Sequence, residues 1–310
     1  MAKIAVKFDN GSEPVSANGH DPGRPKCNRI AHGACWTVED VMCDSGPQTR
    51  PFEEQHTAFS IAIVMRGTFQ YRTANSHRGA GELMTPGSLL LGNAGEYFEC
   101  GHEHSVGDRC LSFRYAPHYF EKVAAEAGVR RGERTFRTAR LPAVRSLSPI
   151  VAKACAGLAC RSFHWADPRA GMMWEETAIQ IAASAIRLAV IGAAADGRAI
   201  SHSAIARVTR AVRIMDEAPE SSFSIERLAS TAGLSPYHFI RTFEELTGVT
   251  PHRYLRRLRL RAAATRISCG REKILDVALD SGFGDVSNFN RAFRAEFGRS
   301  PRSFRRQNLV

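Results

Sequence analysis

Arg241 and Arg291 stand fifty residues apart in matching surroundings. Each lies two residues after one phenylalanine and two before another, in Phe239-x-Arg241-x-Phe243 and Phe289-x-Arg291-x-Phe293. The same register then brings Gly248-x-x-Pro251 and Gly298-x-x-Pro301. A guanidinium presents a fork of donors that fits the edge of guanine, asparagine fits adenine, and an aliphatic side chain can touch the thymine methyl. Ile240 and Asn290 sit beside the two arginines, with Tyr237 and Ser287 just upstream. The chemistry on offer is recognition of base edges. His238, Asn288, Arg294, Arg256 and Arg257 are suited to phosphate contact or to supporting the same helices.

A second constellation is Cys100-x-His102-x-His104, followed by Cys110. On an extended strand alternate residues share a face, so the first three would converge. Imidazoles and thiolates suit a tetrahedral transition-metal site such as zinc, with Cys43 and His56 as further candidate ligands. The spacing lacks the paired C-x-x-C knuckles of strong zinc patterns. Gly101 and Gly107 equally allow a loop with solvated histidines, and both readings stay open.

The arginines must be held by helices. Leu228-Ala229 and Gly233 recur as Val277-Ala278 and Gly282, forty-nine residues on, so the one-residue slip falls in a turn and the helical blocks are duplicated. In the first copy Glu226 to Ala232 reads as a short helix stopped by Gly233. Ser235-Pro236 opens a second, with serine as N-cap and proline in the first turn. Phe239, Phe243 and Leu246 fall at i, i+4 and i+7, and Phe289, Phe293 and Phe297 do the same work in the second copy. Each copy therefore buries its aromatics and turns its arginine outward. Structural helix hairpins with solvated arginines are the plain alternative, which the duplication of the whole pattern disfavours.

Residues 205–306 resemble the DNA-binding domain of the AraC/XylS family of bacterial transcription regulators. The second copy carries the likeness most closely, through Gly282-Phe283, Ser287-x-Phe289-x-Arg291-x-Phe293 and Phe297-Gly298-x-x-Pro301. The resemblance implies two helix-turn-helix units whose recognition helices enter adjacent major-groove segments. A linker helix from Pro251 to about Ser268 would join them. It further implies promoter DNA and RNA polymerase as partners, and a signal received by an attached domain, such as a small-molecule effector.

The 310 residues suffice for two domains. The net charge of +11 is uneven: 19 Arg and Lys face 11 Asp and Glu from residue 201 onward, against 23 and 20 before it. Basicity concentrated on the repeat suits displacement of counterions from phosphate. Neither an apolar leader nor a membrane-length run is evident, so a cytoplasmic protein with no membrane partner is expected. Its eight cysteines are then expected to be reduced thiols.

Residues 1–30, rich in turn formers, read as a flexible arm. From about Trp36 to Tyr115 short apolar runs alternate with turn signals: Ala58–Val64, Phe69–Arg72, Ser88–Leu91, Tyr97–Cys100 and Cys110–Tyr115. Such spacing argues for an antiparallel barrel or double sheet, and resembles the cupin-like sensor half of the same family. Helices are expected over Tyr119–Ala127, Val144–Leu158 and Met172–Ile191. The stripe Trp174, Ala178, Ile181 and Ala185 suits either an internal core or a homodimer interface.

The expected architecture is multidomain. An N-terminal, mainly antiparallel β cupin-like barrel spans 31–116, and helices over 117–195 are candidates for dimerisation. A linker at 196–204 leads to an all-α DNA-binding domain at 205–310, with helix-turn-helix units at about 225–247 and 274–297. The expected function is a sequence-specific, homodimeric transcription regulator that is not an enzyme. The alternatives are a metal- or thiol-responsive regulator using Cys100, His102, His104 and Cys110, and a cupin enzyme fused to a DNA-binding module. An iron site of two histidines and a carboxylate is disfavoured, because Glu103 would point away from His102 and His104 on a strand.

Overall fold

The computed structural model describes residues 25–46, 53–74, 81–102, 107–129, 135–160, 168–191 and 202–308. Nine strands come first: β1 (Lys26–His32), β2 (Trp36–Cys43), β3 (Glu53–Gln55), β4 (Phe59–Arg66), β5 (Phe69–Thr73), β6 (Glu82–Met84), β7 (Leu89–Gly92), β8 (Tyr97–Gly101) and β9 (Asp108–Tyr115). Helix α1 (Pro117–Glu126), the short β10 (Arg140–Leu141), α2 (Ser148–Ala159) and α3 (Pro168–Ile191) follow. The remainder is helical: α4 (His202–Glu217), α5 (Ile225–Ala232), α6 (Pro236–Thr247), α7 (Pro251–Cys269), α8 (Ile274–Asp280), α9 (Val286–Phe297) and α10 (Pro301–Asn308).

The strands form two antiparallel sheets, ordered β1-β2-β9-β4-β7-β10 and β3-β8-β5-β6. The expected barrel is thus two separate sheets. Strand β4 is buried on both faces because it feeds two cores. Ile61 and Ile63 join Leu111, Phe113 and Tyr115 against α1, α2 and α3, whereas Ala62 and Val64 join Phe69, Tyr71 and Met84 of the smaller sheet. Alternate residues point to opposite faces, so one strand can serve both layers.

Two expectations change, and the α3 stripe takes the first of its two expected places. Residues 1–24 of the expected arm lie outside the described residues, but Lys26–His32 is an edge strand paired with β2. It is largely exposed, so its sequence carries no apolar alternation. The α3 stripe of Trp174, Ala178, Ile181 and Ala185 is buried in the chain's own core against the larger sheet. The reduced-thiol expectation fails at one pair: Cys160, capping α2, is disulfide-bonded to Cys269 at the end of α7. The two lie 109 residues apart, and only the packing of α2 on α7 brings them together. The expected 196–204 linker lies mostly outside the described residues.

Helix α7 carries two cores in series. Tyr254 and Leu258 pack with α4, α5 and α6, and Leu260, Ala263, Ala264 and Ile267 pack with α8, α9 and α10. Each core also takes in one residue of the N-terminal half, Leu83 from β6 and Ala152 from α2 respectively. The two halves are joined by polar contacts as well. Asp216 accepts from the backbone N–H of Gly67, and Glu296 accepts from Ser148 and pairs with Arg257.

Candidate nucleic-acid interface

Helices α6 and α9 are built alike. Ser235 caps α6 by accepting from the N–H of His238, and Asp285 caps α9 by accepting from that of Asn288. Both helices end on a left-handed glycine, Gly248 at φ 77° and Gly298 at φ 75°, where a side chain would be strained. Phe239, Phe243, Phe289 and Phe293 are fully buried. Because the phenylalanines recur every four residues, they fix the rotation of each helix. The intervening residues Tyr237, His238, Ile240, Arg241, Ser287, Asn288, Asn290, Arg291 and Arg294 are therefore all exposed.

Exposure of Tyr237 (70%) and Ile240 (37%) is notable for side chains with so much apolar surface to hide. On α9, Arg291 donates to Asn288 Oδ1 at 2.7 Å, and Asn288 is itself held by Asp285. The cap thus orients the arginine through one intermediary. Asn290, Arg291 and Arg294 line an open groove with Ile274, Val286, Ser300, Pro301 and Arg302. On α6 the His238 ring bonds to the Ser235 hydroxyl at 2.8 Å, so His238 is engaged in the cap.

Arg256 is exposed on α7, but Arg257 is not. Its guanidinium donates to the Ala143 carbonyl of the N-terminal half and lies 3.2 Å from Glu296 of α9. The expectation that Arg257 contacts phosphate is therefore corrected: it faces the other half of the protein. Spacing alone could not tell it from Arg256, since consecutive helix positions differ by about 100°.

Arg259 carries no sequence signal, yet it sets the geometry of the pair. It donates to the carbonyls of Pro219 at 2.7 Å, Ser221 at 2.9 Å and Gly282 at 2.9 Å. It thereby ties the segment before α5 to the turn between α8 and α9. Gly282 has φ 80°, and a Cβ there would come within 2.6 Å of the Glu220 carbonyl oxygen. Three carbonyl acceptors on distant loops are visible only after folding.

The Cys/His constellation is rearranged. Cys100 and Cys110 lie between the two sheets, and burial pushes both thiols far above their ordinary range, with Cys110 adding to the effect on Cys100 and Asp108 to that on Cys110. His102 instead bonds Asp108 through Nδ1 at 2.7 Å and Cys43 through Nε2 at 3.4 Å. His56 is elsewhere, 2.6 Å from the Tyr71 hydroxyl and stacked on Phe98. His104 lies outside the described residues, among which no three His, Cys, Asp or Glu side chains form a group able to hold a metal ion. The expected convergence of Cys100, His102 and His104 thus falls partly outside the described residues, within which His102 is taken up by Asp108 and Cys43.

A family model described as a helix-turn-helix domain matches residues 228–307. The regulatory protein SoxS of Salmonella typhimurium is 31% identical over 106 residues, which are 34% of this chain and 97% of SoxS. The chain belongs to the AraC/XylS family of transcriptional regulators. The transcriptional activator RhaS of an Enterobacter species is 36% identical over 100 residues, 32% of this chain and 36% of RhaS. This AraC/XylS chain spans about a third of the length of the first curated relatives it matches, at 34%, 31% and 36%. The DNA-binding domain of AdpA in complex with a target DNA is 28% identical, covers 33% of this chain and 91% of that one, and has a TM-score of 0.32. Among the described residues no helix is long and apolar enough to cross a membrane.

Proposed function

We propose that the chain is a sequence-specific, promoter-binding transcription regulator. Residues 205–310 act as the DNA-binding domain, with helix-turn-helix units at about 225–247 and 274–297. The observation that carries this reading is the equivalence of α6 and α9: two capped helices of the same length, each with its phenylalanines buried and its arginine exposed. Arg241 and Arg291 serve as the main base-edge readers, flanked by Tyr237, Ile240, Ser287 and Asn290. Arg294 and Arg256 contact phosphate, and Asn288 and His238 support the helices. The N-terminal sheets act as a cupin-like sensor, and the contacts of α2 with α7 and α9 give it a route to the reading helices. A homodimer, a small-molecule effector and RNA polymerase are the partners of this reading.

The test selects binding sites from random duplexes with the full chain, then compares Arg291→Ala and Arg294→Ala. Arg291→Ala costs about 1–3 kcal/mol and relaxes preference at one position. Arg294→Ala weakens all sequences alike and reduces the salt slope by about one. An Arg291→Ala protein that loses affinity equally for every sequence removes Arg291 from the base readers. A wild-type chain that selects no sequence overturns the function.

A further inference from the structure

Cys43, His102 and Asp108 form a relay that the DNA-reading surface does not use. The three come from the last residue of β2, the residue after β8 and the first residue of β9, and Cys43 and Asp108 are cross-strand partners. Asp108 is 2% exposed and His102 8%, whereas Cys43 is partly accessible. Their contacts run from Cys43 Sγ to His102 Nε2 at 3.4 Å, and from His102 Nδ1 to Asp108 Oδ2 at 2.7 Å. Space for the carboxylate is reserved by Gly67, where a Cβ would lie 1.8 Å from Asp108 Oδ1. The Phe69 ring packs 5.5 Å from that of His102. A nucleophile bonded to a base, with the base oriented by a buried carboxylate, is the arrangement that activates thiols.

We propose that Cys43 is an oxidant-modification site, held as a nucleophile by His102 and Asp108, for small hydroperoxides. The sulfur attacks the distal oxygen of the O–O bond as that bond breaks. The S–O bond forms, the sulfur is oxidised to a sulfenic acid, and the peroxide is reduced to an alcohol or water. The imidazolium proton of His102 passes to the departing oxygen, so atoms and charge balance. Desolvation opposes the Cys43 thiolate, but bonds to His102 and Ser45 outweigh it and lower the thiol's pKa. Desolvation likewise opposes the charged ring of His102, and the bonds to Asp108 and Cys43 raise its pKa to about 9. Among the described residues Cys27, Cys100 and Cys110 also feel the charge of Cys43, and burial keeps Cys100 and Cys110 protonated.

The experiment treats the metal-free full chain with limiting hydrogen peroxide, traps sulfenic acid with dimedone, and quantifies each cysteine by mass spectrometry from pH 5 to 10. Cys43 is trapped about tenfold faster than Cys27 at neutral pH, and its rate begins to climb at a lower pH than that of Cys27. His102→Gln slows Cys43 at neutral pH and returns it to the rising profile of an ordinary thiol, and Asp108→Asn moves the profile the same way by less. A Cys43 rate no greater than that of Cys27, or an unchanged profile in a folded His102→Gln protein, overturns the proposal. Should His102→Gln fail to fold, the wild-type profile still decides, because a rate that only climbs above pH 8 is that of an unactivated thiol. Stoichiometric zinc that is retained and abolishes trapping in the wild type would also overturn it, by making the cluster a metal site.

Discussion

Removing the Glu296 carboxylate tests how the two halves of the protein are held together. Glu296 lies on α9 but faces away from the proposed DNA surface, with its side chain 6% exposed. It accepts from Ser148 and pairs with Arg257, itself only 15% exposed and also bonded to the Ala143 carbonyl. Burial lowers the Arg257 pKa, and Glu296 offsets part of that cost. In Glu296→Ala, Arg257 stays buried without its counter-charge and Ser148 loses its acceptor, so the cost is about 3–5 kcal/mol. Replacing both members by methionine removes the stranded charge together with its partner. The Arg257→Met/Glu296→Met protein should therefore recover most of the loss, since a buried pair is often no better than well-packed apolar groups. The assay is urea unfolding of the single and double variants by circular dichroism, in reductant so that Cys160–Cys269 does not tether the halves. A double variant that loses the sum of two small single costs, each below about 1 kcal/mol, would mean a solvated pair. The docking of α9 on α2 in solution would then be refuted.

Two further perturbations probe the sheets and the cross-link. Burial first, and then Arg114, pushes the pKa of His56 down to about 3. Native His56 thus stays neutral while the unfolded chain takes up a proton below about pH 6.5. Its stability contribution is complete above that pH and falls by about 1.4 kcal/mol per unit on the way towards pH 3. The urea midpoint of wild type should drop more steeply than that of His56→Gln between pH 6.5 and 5, and equal slopes would contradict the assignment. Cys160→Ser, which opens a loop spanning 109 positions, should cost about 2–5 kcal/mol relative to the oxidised wild type. Unchanged unfolding on reduction of the wild type would remove Cys160–Cys269 as a stabilising link.

The DNA-reading half was legible because its information is local. The i, i+4 phenylalanines of α6 and α9 fix which face is buried, and Ser235 and Gly248 mark the ends of α6 within the sequence itself. The apolar runs of β4, β5, β7, β8 and β9 announced themselves in the same way. Strand β2 did not, because Asp40 holds one of its buried positions through a bidentate bond to Arg109, and no polar residue predicts its own partner. Strand β1 is too exposed to show alternation.

What the sequence alone determined was the duplicated helix pair, its outward arginines and the β-then-α order, since periodicities of two and about 3.6 residues are written along the chain. Only the tertiary structure decided that Arg257 turns to Glu296 while Arg256 stays in solvent. It alone joined Cys160 to Cys269, and gave His102 to Cys43 and Asp108 rather than to Cys100 and Cys110. Each of those choices depends on which distant residue supplies a charge, a thiol or an acceptor within about 3–4 Å. Spacing along one element cannot specify that distance, because it is set by how sheets and helices stack on one another.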